Sequence, residues 1–307
     1  MQGVFGIDVS RWNGEIDWNK VKAAGVKFAM LKFGYGSETG EDCGIAERFE
    51  ENLKGALLAG IDLGCYFYSY AGSPAAAKKE GQWAAEALEA YKGFFTYPVA
   101  FDLEDVSQEG LGKAALTEMA LAFTKEIKDA GFYPMLYTNL NWLRNYLNTE
   151  KLGDLDIWLA QWADAPTYTG DFGIWQNSAG GHVNGISTAV DTNYAYRDYP
   201  QIIRAGGYNG MDGWGDAGEQ IKDGIGDAID HIVDTVTKKP GPKSSGDIDG
   251  DGKVTAADAR KALRAAVGLD TLSAGQKDAA DVNGDGRVTA SDARKILRKA
   301  AGKEEKT

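Results

Sequence analysis

Cysteine and histidine are almost missing from this chain, with two of each in 307 residues. So few cysteines exclude a disulfide-stapled scaffold. Cys43 and Cys65 form either one bridge in an oxidising compartment or two buried thiols. His182 and His231 stand apart from any serine or cysteine motif, which leaves no acyl-transfer triad to assemble. HExxH, CxxC and phosphate-cradling glycine patterns are also missing, and the Gly-Tyr-Gly stretch at 34–36 is too short to stand for one. No hydrophobic run approaches transmembrane length, so membrane insertion is not expected. Positive charge is in deficit: a net charge of -12 excludes nucleic acid and anionic membrane surfaces as general partners. What is present is apolar substance, 43% hydrophobic and 11% aromatic, enough for a sizeable core in one large domain followed by a small one.

The small domain is legible as a repeat. Asp247 to Asp258 reads D-I-D-G-D-G-K-V-T-A-A-D, and Asp281 to Asp292 reads D-V-N-G-D-G-R-V-T-A-S-D, 34 residues later. Over 22 aligned positions 15 are identical, a mark of internal duplication. Oxygen ligands at loop positions 1, 3, 5 and 12 surround a hard cation, with glycine at position 6 for the sharp turn. The expected ligands are Asp247, Asp249, Asp251 and Asp258, then Asp281, Asn283, Asp285 and Asp292, with the backbone carbonyls of Lys253 and Arg287 at position 7. Two Ca2+ are therefore expected. Only the leaving helix is read for each copy, because Lys239 to Gly246 is broken by Pro240 and Pro242. A duplicated loop-plus-one-helix unit resembles a dockerin module, over roughly residues 245–302. That resemblance implies a cohesin domain on a scaffold protein as partner, met by the basic helix face (Arg260, Lys261, Arg264, Arg294, Lys295, Arg298, Lys299) and by Ala256-Ala257 and Ala290-Ser291. Leu263, Val267, Ile296 and Leu297 are expected to form the apolar stripe of the two helices. Free calcium loops imply an extracellular setting, although Met1-Gln2 leads straight into a strand with no leader visible.

The first two hundred residues alternate short apolar strands with helical patterns. Eight strands are expected, at 4–10, 28–34, 64–70, 97–104, 133–139, 156–162, 173–178 and 190–194. Helices fit at 18–24, 45–59, 75–91 and 113–130, but not between the last strands. The pattern predicts an irregular α/β barrel of about five β/α units followed by strands alone. In a TIM-like barrel the edge where strands end is the active face. Asp8, Tyr68, Asp102, Glu104, Tyr137, Asn139, Gln161, Gln176 and Asp191 cluster there.

Phe101-Asp102-Leu103-Glu104-Asp105 is the sharpest catalytic candidate. Residues two apart in a strand share a face, so Asp102 and Glu104 project together. Adjacent carboxyls resist ionising together, which leaves a proton donor beside an anion. Cleavage of a glycosidic bond needs that pairing. Asp8 and Asp191 bring the acids at the mouth to four. Trp12, Tyr35, Tyr66, Tyr68, Tyr137, Trp158, Trp162 and Trp175 occupy the same edge, either as sugar platforms or as core.

Five segments now carry a resemblance: G-I-D-V-S-R-W-N-G at 6–14, Y-P-V-A-F-D-L-E-D at 97–105, D-I-W-L-A-Q-W at 156–162, G-I-W-Q-N-S at 173–178 and V-D-T-N-Y at 190–194. Together they resemble the glycoside hydrolase family 25 muramidases over about residues 3–204. The resemblance implies a (β/α)5(β)3 barrel that cleaves the β-1,4 bond between N-acetylmuramic acid and N-acetylglucosamine in peptidoglycan glycan strands. It implies Glu104 as general acid/base. Asp102 orients the acetamido group or serves as nucleophile, and Asp8 and Asp191 shape the pocket. No catalytic cofactor is implied. Many members carry K-A-T-E after the second strand; here K-F-G-Y-G-S-E displaces Glu38, which is given no role. A non-catalytic cell-wall-binding subunit and a chitin-type hexosaminidase remain alternatives. The domains are expected at 1–205 (barrel), 206–246 (a flexible loop, an amphipathic helix through Ile221, Ile225, Ile229, Ile232, Val233 and Val236, then a stiff linker), 247–302 (dockerin-like) and 303–307 (tail).

Overall fold

The computed structural model describes residues 3–211, 246–250, 252–267, 269–270, 272–282 and 286–300. They form two compact units, one up to Met211 and one from Gly246. The amphipathic helix expected within 221–236 lies outside the described residues, as do Asp251, Asn283 and Asp285.

The first unit runs β1 (Val4–Val9), α1 (Trp18–Ala23), β2 (Phe28–Tyr35), β3 (Gly44–Ile45), α2 (Phe49–Leu58), β4 (Asp62–Tyr68), α3 (Pro74–Leu88), β5 (Val99–Asp102), α4 (Lys113–Asp129), β6 (Pro134–Asn139), α5 (Leu140–Asn145), β7 (Asp156–Ala160), β8 (Ile174–Gly181), β9 (Val190–Ala195) and α6 (Tyr199–Gly206). The hydrogen-bonded order β1-β9-β8-β7-β6-β5-β4-β2 closes through a β1–β2 pairing into an eight-stranded barrel. Every barrel pairing is parallel except those of β9, which runs antiparallel to both β8 and β1. Five strand-plus-helix units are thus followed by three strands, as the pattern predicts. The helices start where their caps are: Asp17 accepts from Lys20 N, Ser73 from Ala76 N with Pro74 at the first helical position, and Asn139 from Trp142 N.

Two expectations are corrected. The helix expected from residue 45 starts at Phe49, because Gly44 and Ile45 pair with Tyr35 and Gly34 as a hairpin strand instead. The barrel also reaches past residue 205. Residues 206–211 look like a loop, yet Asn209 is fully buried at φ 58°. Its side chain accepts from Tyr133 N (2.8 Å) and donates to the carbonyls of Phe95 (2.8 Å) and Tyr97 (3.1 Å). Asparagine tolerates the left-handed conformation, and its amide satisfies backbone groups that would otherwise be buried unpaired.

Strand alternation divides the core. Inside the barrel lie Phe28, Met30, Tyr97, Ala100, Met135, Tyr137, Trp158, Ile174 and Ala195. Outside, helices cover the sheet: Phe123 of α4 stacks on Phe101 at 4.3 Å and tilts against Phe67 at 5.3 Å. Burying one such ring stabilises by roughly 1.5–3 kcal/mol.

The second unit comprises α7 (Ala256–Ala266), α8 (Ala274–Ala280) and α9 (Ala290–Ala300). The reading that each loop lacks a preceding helix holds no longer for the second copy. A capping box between Ser273 and Gln276 starts α8, which runs directly into Asp281. The expected apolar stripe is also corrected. Ile296 is buried, but Leu263 (45% exposed), Val267 (62%) and Leu297 (50%) face outward. The core is smaller: Ala259, Ala262, Ala280 and Ala293 pack with Ile248, Leu272 and Ile296. Small alanines let the paired helices approach closely and push the larger side chains to the surface.

Candidate active site

Four strand ends carry the four acids to one mouth. Asp8 of β1 sits opposite Asp191 of β9 in register. Asp102 closes β5, and Glu104 follows just beyond the strand. Leu103 keeps that segment extended, since its N–H donates to the Tyr137 carbonyl (3.1 Å) and its carbonyl accepts from the Thr138 hydroxyl (2.8 Å). Asp102 and Glu104 therefore share a face even though the ladder stops between them.

Each acid has a distinct surrounding. Asp8 Oδ2 accepts from Gln176 Nε2 (2.9 Å) and Asn193 Nδ2 (2.8 Å). Gln176 Oε1 in turn accepts from the Tyr137 hydroxyl (3.1 Å) and Trp162 Nε1 (3.0 Å), and Asn193 Oδ1 accepts from Trp158 Nε1 (2.8 Å). Asn139 works at both ends: its oxygen caps α5 and its Nδ2 donates to Glu104 (3.2 Å). Asp102 is buried, and its Oδ1 has no hydrogen-bond partner. That oxygen is an acceptor left over for an incoming donor.

Burial sets the electrostatics. It raises Asp102 well above the usual carboxylate range, and Glu104 adds to this while Lys32 opposes it. Burial and then Asp191 raise Asp8, whereas Asp191 is raised by burial and held back by its hydrogen bond to Asp8. Glu104 is raised by burial against the pull of Asn139. Asp105 is the exception: Ser107 and Tyr68 outweigh burial and hold it low. Burial thus favours the protonated form of all four mouth acids while Asp105 beside them is held toward the ionised form, a contrast suited to proton donation next to a charge.

The aromatic expectations divide. Tyr66 and Tyr137 lie among all four acids, whose charges and burial push both phenols up. Trp158 is buried beneath them, its ring 4.6 Å from Tyr137 and 5.9 Å from Tyr66. Trp12 (75% exposed) and Trp162 (67%) stand at the rim. Tyr35 reaches the same face as Tyr68 because a bulge between Lys32 and Gly34 inserts one residue into β2. Gln161 is committed to the loop that follows β7, exchanging two hydrogen bonds with Thr167. Trp175 does not line the mouth. Its neighbours Ile174 and Gln176 point inward, so it faces outward, near Tyr194 (6.2 Å) and bonded to the Gln161 carbonyl (2.8 Å).

Lys32 and Asn193 were missed as site residues. The Lys32 ammonium lies 4.3 Å over the Tyr68 ring and faces Asp102. Its signal was present: a lone charge inside the apolar strand F-A-M-L-K-F-G-Y. Asn193 was hidden inside V-D-T-N-Y, two residues from Asp191 and therefore on the same face.

The tail loops offer a cation site. Carboxylate oxygens of Asp247, Asp249 and Asp258 lie within 4.8 Å of one another. Three acids so close fit a hard divalent cation. Gly252 (φ 83°) and Gly286 (φ 80°) make the turns, and their N–H groups donate to Asp247 (2.9 Å) and Asp281 (2.7 Å). Asp258 and Asp292 are buried and bind Thr255 and Thr289 in the same way, so the two loops repeat in structure. Lys253 and Arg287 lie in exposed bends that directly follow Gly252 and Gly286. Cys43 and Cys65 are both free thiols, and burial pushes Cys43 up to about 12.

A barrel with a converging set of carboxyls and aromatic rings at its strand ends is the frame of a glycoside hydrolase. The comparisons agree: the model of glycosyl hydrolases family 25 matches residues 7–186, and the dockerin type I domain matches residues 245–299. The chain belongs to glycosyl hydrolase family 25 and carries a dockerin type I domain behind the barrel. Lysozyme M1 of Streptomyces globisporus is 29% identical over 202 residues, which span 62% of this chain and 67% of that protein. The autolytic lysozyme of Clostridium acetobutylicum is 24% identical over 203 residues, 66% of this chain but only 57% of that protein. Among solved structures, the bacterial lysozyme of Streptomyces coelicolor superposes with a TM-score of 0.55 at 26% identity, covering 69% of this chain and 100% of that one. The modular autolysin LytC of Streptococcus pneumoniae, solved with a synthetic peptidoglycan ligand, shares the fold (TM-score 0.55, 23% identity, 63% of this chain, 47% of that one).

Proposed function

We propose that this chain is a secreted N-acetylmuramidase. It hydrolyses the β-1,4 bond between N-acetylmuramic acid and N-acetylglucosamine in peptidoglycan, and its calcium-dependent dockerin holds it on a cohesin-bearing scaffold. One observation carries the reading: Asp8, Asp102, Glu104 and Asp191 gather at a single barrel mouth with Tyr66 and Tyr137 among them. In this reading residues 1–211 are the catalytic barrel, 212–246 the connection and 247–302 the docking module, with 303–307 as tail.

Glu104 is the acid. Burial raises its pKa and so favours the proton-bearing form, and Asn139 fixes its direction. It gives that proton to the glycosidic oxygen as the bond to the anomeric carbon breaks. The unpartnered Asp102 Oδ1 accepts the N–H of the acetamido group, which orients the acetamido oxygen toward the anomeric carbon. Attack then comes from that oxygen, from Asp102 or from water. Asp8 and Asp191 stabilise positive charge on the sugar ring. Where Asp102 or the acetamido oxygen has attacked, water then adds to the anomeric carbon, breaks that bond and gives its proton to the Glu104 carboxylate; where water attacks directly, its single addition completes the hydrolysis and its proton passes to the Asp102 carboxylate. Trp12, Tyr35, Tyr68 and Trp162 are platforms for neighbouring sugars.

In the tail, Asp247, Asp249, Asp251 and Asp258 hold one Ca2+, and Asp281, Asn283, Asp285 and Asp292 a second. The repeated outward pairs, Leu263 with Leu297 and Arg260 with Arg294, form the face for the cohesin.

The test is a digest of purified peptidoglycan by wild type and Glu104→Gln, with mass spectrometry after borohydride reduction. Reduced muramic acid ends from wild type alone support the assignment. Reduced glucosamine ends place the cleavage at the other bond. No fragments from either protein favour a wall-binding subunit.

A further inference from the structure

A second buried acid lies behind the mouth and takes no part in the chemistry above. Glu80 of α3 is fully buried. Its Oε2 accepts the Ser69 hydroxyl at 2.6 Å, and its Oε1 accepts the Tyr70 N–H at 3.3 Å. The Ala71 N–H donates to the Ser69 hydroxyl oxygen (3.1 Å), and the backbone of Ser37 and Ala71 faces the carboxyl and favours its charged form. Gln108, from the helical turn after β5, donates to the Ser69 hydroxyl (3.3 Å) and the Ala71 carbonyl (3.1 Å). Gly36 leaves Glu80 its place, since a Cβ there would stand 1.8 Å from Oε1. The carboxyl is thus bonded to the segment after β4 and packed against the segment after β2, and Gln108 joins the segment after β5 to the same Ser69 hydroxyl.

Those segments carry the tyrosine wall. Tyr35 directly precedes Gly36, and Tyr68 and Tyr70 flank Ser69 with rings 4.9 Å apart. The Tyr68 hydroxyl donates to Asp105 (3.0 Å), beside Glu104. We propose that Glu80 is a positioning residue that sets affinity for the glycan strand, holding Tyr35, Tyr68 and Tyr70 in one arrangement toward the sugars; this role rests on the muramidase reading. A buried carboxyl is costly unless its donors are needed, and an apolar side chain fills such a space more cheaply. Burial pushes Glu80 up to about 7 despite its bonds to Ser69 and Tyr70, so the fold sustains that cost here. Glu80 touches neither the reacting bond nor the four mouth acids, so its loss acts on binding.

The experiment measures kcat and KM of the full chain on soluble, peptide-free strands of alternating N-acetylglucosamine and N-acetylmuramic acid. Glu80→Gln keeps the volume but turns an amide donor toward groups that are themselves donors. KM is expected to rise about tenfold while kcat stays within about threefold, the pattern of lost uniform binding. A wild-type KM, or a fall in kcat at constant KM, overturns the proposal. If Glu80→Gln does not fold, Ser69→Ala removes one bond and leaves the carboxyl. It is expected to raise KM about threefold, and an unchanged KM again overturns the role. A wild-type enzyme silent on these strands sinks the muramidase reading itself. Cleavage by wild type with unaltered KM in both variants sinks only the role of Glu80.

Discussion

Replacing Lys32 by methionine tests the electrostatics of the mouth most directly. The substitution preserves an unbranched chain over Tyr68 and removes a single positive charge facing Asp102. A nearby opposite charge favours the ionised carboxylate and lowers its pKa. Burial already raises Asp102, with Lys32 opposing, so losing the ammonium raises it further. If the productive enzyme needs Asp102 ionised, activity is lost as pH falls through its pKa. The acid limb of kcat/KM then moves to higher pH, with kcat/KM falling below the limb and little change well above it. Initial rates on soluble glycan strands across pH give the profile, and Lys32→Arg is expected to restore it. An acid limb that stays in place, or moves to lower pH, refutes the reasoning.

Three further outcomes are expected. Gln176→Leu takes one of two donors from Asp8 and the acceptor from Tyr137 and Trp162, so kcat/KM is expected to fall about 10²-fold through misplacement of the acid set; near-wild-type kinetics would remove Gln176 from the network. Asn209→Ala deletes three side-chain hydrogen bonds and places alanine at φ 58°, for a loss of about 3–5 kcal/mol in urea unfolding, whereas a change under about 1 kcal/mol would make the 206–211 segment dispensable. Chelating calcium is expected to remove about 4 kcal/mol from the tail when free calcium had stood near a thousand times Kd, seen as loss of its calorimetric transition while glycan cleavage continues. Cleavage that stops together with the tail transition would contradict two independent units.

Legibility varied with the range of the interaction that decides each feature. Asp8, Asp102, Glu104 and Asp191 could be found because each lies at or near an end of an expected strand, and strand alternation is a local rule. Lys32 broke an apolar run and carried a signal of its own, yet its meaning depends on Asp102, seventy residues away. Tyr35 reaches the mouth only through a bulge, and Trp175 misses it because a period of two puts it opposite Gln176. Asn209 sat in a glycine-rich stretch whose composition says loop, while its partners at Phe95, Tyr97 and Tyr133 are remote in the chain.

By itself, the order of residues determined the parts of this protein whose physics is local: eight strands with their helices, the D-x-E pair on one face, and two acidic loops in a duplicated frame. Spacing along the chain suffices for these, because backbone periodicity and ligand geometry act over a few residues. Tertiary structure alone decided which side chains meet. Pairing β1 with β9 placed Asp8 against Asp191, and the packing of the closed barrel left Asp102 Oδ1 without a partner and brought Glu80 behind the tyrosines. Those are contacts between distant segments, set by how the strands register around the ring.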